Sequence, residues 1–264
     1  MAHAAESLHW YTRTGETAYT VKAKAGHDRP TTLADARKLG LVPSVTTVIG
    51  CANKPALTNW MVDQAILAAL TFPRKPDEPL SDDLVARIKQ DSKEQSRKAA
   101  ERGTAIHAAI QGAYEKEHPD PAFIPHIEGA VSAIEKHFGQ EFDPECCIAE
   151  QSFAHPTGFG GKVDLIGTAP FFVVDFKTKE FSDPESLRTW DEHAMQLAAY
   201  RVGHEMPNAR CAIVYVSSSV PGLAKLIELP ESDLVRGWRC FYSLLQFWKA
   251  KNNFDPSFEK ALAA

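Results

Sequence analysis

GFGGKVDLIGTAPFFVVDFKTK, residues 158–179, reads as two β-strands joined at Gly167-Thr168-Ala169-Pro170, where Gly and Pro favour a turn. In the second strand Phe172, Val174 and Phe176 alternate with Val173, Asp175 and Lys177. The period of two along a strand puts the first set on one face, turned to the core, and the second on the other. A carboxylate and an ammonium therefore stand two residues apart on a strand otherwise suited to burial. Asp164, in the first strand, adds a carboxylate that a hairpin can bring close to Asp175. Two carboxylates about 5 Å apart repel by roughly 3 kcal/mol at an effective dielectric of about 20. Something cationic must offset that repulsion. Lys177 does so in part and a divalent ion would do so more fully, since hard cations take carboxylate oxygens. A structural Asp–Lys pair on a hairpin is the plainer alternative, and the hairpin alone leaves both open.

The chain of 264 residues can bury a substantial core, as one domain or as one domain with a helical insertion. Its 44% apolar and 24% charged residues are ordinary for a soluble globular protein. No apolar run is long enough to span a bilayer, and the first residues lack the apolar core of a signal peptide, so a cytoplasmic protein is expected. Five cysteines, Cys51, Cys146, Cys147, Cys211 and Cys240, have no C-x-x-C spacing, which argues against a disulfide framework and a zinc ribbon and for buried free thiols. Adjacent Cys146 and Cys147 in one strand would point to opposite faces. The net charge of −5 excludes a generally basic nucleic-acid coat. It does not exclude an enzyme whose cleft concentrates positive charge locally.

Working outward, Thr14-Gly15-Glu16 suggests a small hairpin within residues 8–23, and Thr32–Leu39 a short helix capped by Thr31 or Thr32. Ser44, Thr46 and Thr47 either cap a helix or offer hydroxyls to a phosphate. A helix is expected from Lys54-Pro55 to Leu70, with Trp60, Met61, Ile66 and Leu70 apolar, then a loop at residues 72–80 with three prolines. Further helices are expected at Ser81–Lys89, Asp91–Lys116 and Ile127–Phe138. In the second of these, Lys93, Arg97, Lys98 and Arg102 mark a solvated face or a wall along which nucleic acid passes. Gly103 and His107 share a face of that helix, and close approach of another backbone would explain the glycine. A lone histidine on an apolar helix is ordinarily a core residue, and spacing alone leaves His107 there.

From Cys146 the pattern turns to strand, with Glu150 among apolar neighbours. A helix follows at Pro184–Gly203, where Gln196 and Tyr200 are one turn apart and His193 precedes Gln196 by three. Taken alone, this is a surface Gln beside a half-buried Tyr. Strands at Ala209–Ser217 and Ala224–Leu229 come next, and then a helix at Glu231–Lys251 whose aromatic stripe suits a core. The order of elements predicts an α/β protein: a mixed central sheet flanked by helices over residues 146–264. Residues 1–145 form a largely helical N-terminal part that contributes the histidine helix, the whole making one compact unit.

In chain order GTAIH, GGKVD, VVDFKTK and QLAAY resemble the PD-(D/E)XK nuclease superfamily, in its RecB-like exonuclease branch. The resemblance covers about residues 103–217, and LVPSVTTVIGCANKPALTNW is similar to the N-terminal part of phage-encoded members and of the mitochondrial genome maintenance exonuclease. It implies a restriction-endonuclease-like core. It also implies that Asp164, Asp175 and His107 bind catalytic metal, with Glu150 at a less uniform acidic position of the same set. Lys177 would orient or help deprotonate the attacking water, while Gln196 and Tyr200 brace the site or contact the substrate backbone. Val163 stands where the superfamily's name has proline, a change that leaves the carboxylate in place.

The implied function is a Mg²⁺- or Mn²⁺-dependent DNA exonuclease acting on single strands or duplex ends, in phage or bacterial recombination, replication or repair, alongside the proteins of those processes. A histidine ligand suits Mn²⁺ better than Mg²⁺. The cysteines lack the grouping for an iron–sulfur cluster, so none is expected. A structure-specific endonuclease on the same core and a non-catalytic DNA-binding recombination component are the alternatives.

Overall fold

The structure, a computed structural model, describes residues 9–52, 55–73, 78–139 and 144–259. Lys54 and the middle of the expected three-proline loop lie outside the described residues, as does the side chain of Lys98.

A five-stranded sheet forms the centre. Its strands are β5 (Cys147–His155), β6 (Phe159–Thr168), β7 (Phe171–Lys179), β8 (Arg210–Ser217) and β9 (Ala224–Glu228), in spatial order as in the chain. Only β7 and β8 pair in parallel, and helix α6 (Asp191–Gly203) makes the crossover between them. Every other neighbouring pair is antiparallel, so the sheet is mixed, as expected.

Both faces of the sheet are covered. On one side α6 and α7 (Glu231–Asn252) bury Leu197, Phe241 and Leu245 against Val173, Ile213 and Tyr215. On the other, α4 (Asp82–Tyr114) and α5 (Ile124–Phe138) bury Ile106, Ile110 and Ile134 against Phe172, Val174 and Phe176. The alternation of β7 thus feeds two cores, and Asp175 shares its face with α6. The aromatic stripe of α7 is core at Phe241 and Trp248, whereas Phe247 is exposed.

The N-terminal part starts with short strands: β1 (Trp10–Tyr11), β2 (Thr20–Lys22) and β3 (Asp28–Pro30). Helix α1 (Leu33–Leu39) is capped by Thr32, with Asp35 closing a capping box and Gly40 ending the helix in the left-handed conformation. Strand β4 (Val42–Pro43) and helix α2 (Val45–Ile49) follow. The small hairpin around Thr14-Gly15-Glu16 is present: Tyr11 bridges Thr17 antiparallel, Thr12 N–H donates to the Glu16 carbonyl at 2.8 Å and Ala18 N–H to the Trp10 carbonyl at 2.8 Å, while β1 also pairs with β4 and β2 with β3.

Helix α3 (Pro55–Thr71) carries Trp60, Met61, Ile66 and Leu70 on its surface, so these are not core residues. The helices expected at Ser81–Lys89 and Asp91–Lys116 are one, α4. No Gly or Pro falls between them, and Ser81 caps the helix by accepting from Leu84 N–H. Arg97 is ion-paired along α4 to Glu94 and Glu101, so a solvated surface accounts for this cation.

Three further expectations change. Cys146 ends a 3₁₀ turn and only Cys147 enters a strand; of the five thiols Cys211 is buried and Cys240 exposed. The helix expected from Pro184 starts at Asp191, after a separate 3₁₀ turn at Pro184–Ser186. A Cβ on Gly103 would meet the Thr178 side chain at 3.5 Å, an ordinary contact, so no close backbone explains that glycine. Among the described residues no helix is long and apolar enough to cross a membrane.

Candidate metal centre

The site forms where β6 and β7 part. Their ladder pairs Thr168 with Phe171 and runs back to Leu165 opposite Val174; one step further would set Asp164 opposite Asp175. There the Asp164 side chain replaces the ladder, its Oδ2 accepting from Phe176 N–H at 2.8 Å. The β5–β6 register also skips this level, passing from Ala149–Leu165 to Gln151–Val163. Glu150, at the gap, has φ of +53°. That left-handed backbone is uncommon for a residue with a Cβ, and such strain gathers at functional sites. Val163 and Leu165, two residues apart, pack into the two different cores, so the alternation of β6 slips at Asp164.

Helix α4 delivers His107 to this gap. Its Nε2 lies 2.9 Å from Asp164 Oδ2, and its ring meets Phe176 edge-on at 6.0 Å. One donor atom from each of His107, Glu150 and Asp164 lies within 4.8 Å of the others, with all three side chains partly buried. Next to Asp164, which acts on the Asp175 carboxyl through its charge, stands a second group. Lys177 Nζ is 2.7 Å from Asp175 Oδ2 and donates to Gln196 Oε1 at 3.3 Å. Gln196 Nε2 donates to Asp175 Oδ1 at 2.7 Å and to Tyr200 Oη at 2.9 Å. Gln196 and Tyr200 are thus buried members of a polar network, not a surface Gln beside a half-buried Tyr.

Burial dominates the electrostatics. It pushes the Asp175 carboxyl up to about 6; Lys177 opposes this, and Asp164 adds to it. Burial alone would lower His107 and Lys177. The Asp164 hydrogen bond and the charges of Asp164 and Asp175 outweigh it for His107, as the same two charges do for Lys177, and both end raised. Tyr200 is driven well above its ordinary value by burial and by the neighbouring carboxylates.

The residues fit a divalent cation. Two carboxylates and an imidazole are a donor set for a first-row dication. The Lys177–Asp175 contact is close but lies outside hydrogen-bond geometry, so Asp175 Oδ2 is a buried oxygen accepting no aligned hydrogen bond. Of the expected ligands, His107, Asp164 and Glu150 meet. Asp175 falls outside that close trio, held by Lys177 and Gln196.

A cleft of about 460 Å³ opens onto the trio, lined among others by Tyr11, Tyr19, Ser44, Thr46 and Thr104. Ser44 caps α2, its Oγ accepting from Thr47 N–H at 3.0 Å, and also faces the cleft, so capping and lining coincide. The residue that sequence reasoning missed is Lys162, ion-paired with Glu150. Its place two residues before Asp164 in β6 was the available signal.

No family model matches the chain, and no curated protein does. Among solved structures, one described as the crystal structure of SSO0001 is similar at 17% identity and a TM-score of 0.30, over 71% of this chain and 86% of that one. A likeness that distant transfers no chemistry.

Proposed function

We propose that the chain is a divalent-metal-dependent deoxyribonuclease of the PD-(D/E)XK kind. It works as an exonuclease on single strands or duplex ends, in the cytoplasm of a bacterium or a phage-infected host, in DNA recombination, replication or repair. One observation carries the reading: His107, Glu150 and Asp164 meet within 4.8 Å from a helix and two strands, beside buried Asp175 and the Lys177 ion-paired to it.

A Mg²⁺ or Mn²⁺ ion would be held by His107, Glu150 and Asp164, with Asp175 alongside, and would supply Lewis acidity at the phosphate and a lowered pKa for a water. The chain's own groups do the positioning. Lys177, a compact charge with rotatable donors, holds the attacking water against the scissile phosphate and offsets charge developing there. Gln196 fixes that ammonium by accepting from it while donating to Asp175 Oδ1, so acid and base stay in register. Tyr200 closes the network through its hydroxyl, which burial keeps protonated.

The test is purified protein with Mg²⁺ or Mn²⁺ and oligonucleotides labelled at either end, single- and double-stranded, with Asp175→Ala as control. Stepwise shortening of linear strands, resistance of a closed circular single strand and loss of activity in Asp175→Ala are expected. Internal cuts on nicked or flapped DNA would replace the exonuclease by an endonuclease. Binding without cleavage under either ion would overturn the reading.

A further inference from the structure

Glu150, Asp164 and Asp175 each already have a companion at the mouth of β6 and β7: Lys162, His107 and Lys177 in turn. A divalent cation therefore meets a site whose charge is largely balanced, and it can bind tightly only by displacing a resident. Lys177 is poorly placed to leave, since Asp175 and Gln196 hold its ammonium from two sides. His107 is itself a donor. Lys162 is different in kind. Its carboxylate partner belongs to the close trio, and its side chain, about as exposed as that of Lys177 (36% against 34%), lines the cleft that leads to the trio. The left-handed backbone of Glu150 is a second pointer. A non-glycine residue stays in that conformation only where its surroundings enforce it.

We propose that Lys162 is a resident cation that holds Glu150 in place of the metal and passes into the cleft when a divalent ion binds, thereby setting the metal affinity of the site. The proposal rests on the metal-site reading above. It makes metal loading a change of state for the cleft as well. The freed ammonium joins the hydroxyls of Ser44, Thr46 and Thr104 on the cleft wall.

Amine acetylation of the whole protein, followed residue by residue by mass spectrometry with and without Mn²⁺, reads the release directly. Lys162 is expected to react several-fold faster with Mn²⁺, while Lys116, far more exposed, serves as an unchanged reference. In parallel, free Mn²⁺ is titrated by electron paramagnetic resonance against wild type, Lys162→Met, Lys162→Arg and Asp164→Asn. Lys162→Met should bind about fivefold more tightly, the scale of losing one half-exposed competing ion pair. Lys162→Arg should stay near wild type and Asp164→Asn should lose binding.

Mn²⁺ binding that depends on Asp164, with Lys162 labelling unchanged or slowed, would overturn the handover and leave the metal site standing. No Mn²⁺ binding to wild type would overturn both. Labelling is read on wild type, so it decides the question even where Lys162→Met fails to fold.

Discussion

Asp175→Asn should make the metal-free protein more stable, and increasingly so as pH rises. Asp175 is buried, and its carboxyl is pushed from 3.8 up to about 6, chiefly by burial. Below 3.8 the group is protonated folded and unfolded, and folding carries no penalty. Between 3.8 and about 6 the unfolded chain ionises first, and the penalty for holding the carboxylate inside grows. Above about 6 it is complete. At 1.36 kcal/mol per pKa unit it comes to about 3 kcal/mol, with the attraction of Lys177 already counted. Asparagine keeps the shape and an oxygen for Gln196 but cannot ionise, so it escapes the penalty; its NH₂ then faces Lys177 where Oδ2 stood, which makes about 3 kcal/mol the upper bound of the gain. Urea denaturation in EDTA should show Asp175→Asn ahead by up to about 3 kcal/mol at pH 8 and by no more than about 1 kcal/mol at pH 4.5. The difference at pH 8 corresponds to roughly 6–12 °C in Tm for a chain of this size. A variant no more stable than wild type at pH 8, or a gap that does not widen with pH, would refute the account of Asp175 as a strained buried carboxylate. The same variant should lose the proposed nuclease activity, a trade of function against stability expected of such a site.

Two glycines should respond in opposite directions. A Cβ on Gly237 would sit 2.5 Å from the Ala194 backbone where α7 crosses α6, so Gly237→Ala should cost about 1–3 kcal/mol, whereas Gly103→Ala has room and should gain up to about 1 kcal/mol by helix propensity; urea melts measure both. Among the thiols, the Cys211 sulfhydryl is pushed up to about 12 by burial and should resist a disulfide reagent at pH 8 in the native protein, while exposed Cys240 reacts within the first minutes; rapid native labelling of Cys211 would contradict its burial. Leu70 is 78% exposed on α3, so Leu70→Gln should change the urea midpoint by less than about 0.5 kcal/mol equivalent, and a loss above about 2 kcal/mol would mean that α3 packs against something.

Much of the sheet could be read from local pattern, because strand alternation and helix periodicity are carried by neighbours in the chain. The face shared by Asp175 and Lys177, the turn relating Gln196 to Tyr200 and the caps at Thr32 and Ser44 are all of this kind. Helix ends were less legible. Nothing local shows that the stretch between Lys89 and Asp91 continues α4, nor that the apolar side of α3 lies in solvent, since both depend on what packs nearby.

The sequence by itself determined the residue types of the site and their order along the chain, together with the alternation of β7 that turns Phe172, Val174 and Phe176 to one core. Only the tertiary structure decided how those residues divide. Where the ladder opens at Asp164, side-chain geometry takes over from backbone register. His107, Glu150 and Asp164 then close on one another, while Asp175 turns to Lys177 and Gln196. Glu150 stands at the gap with a left-handed backbone, ion-paired with Lys162. Strand alternation runs along one chain segment, but charge balance is settled among groups that meet only after α4, β5, β6 and α6 have packed together.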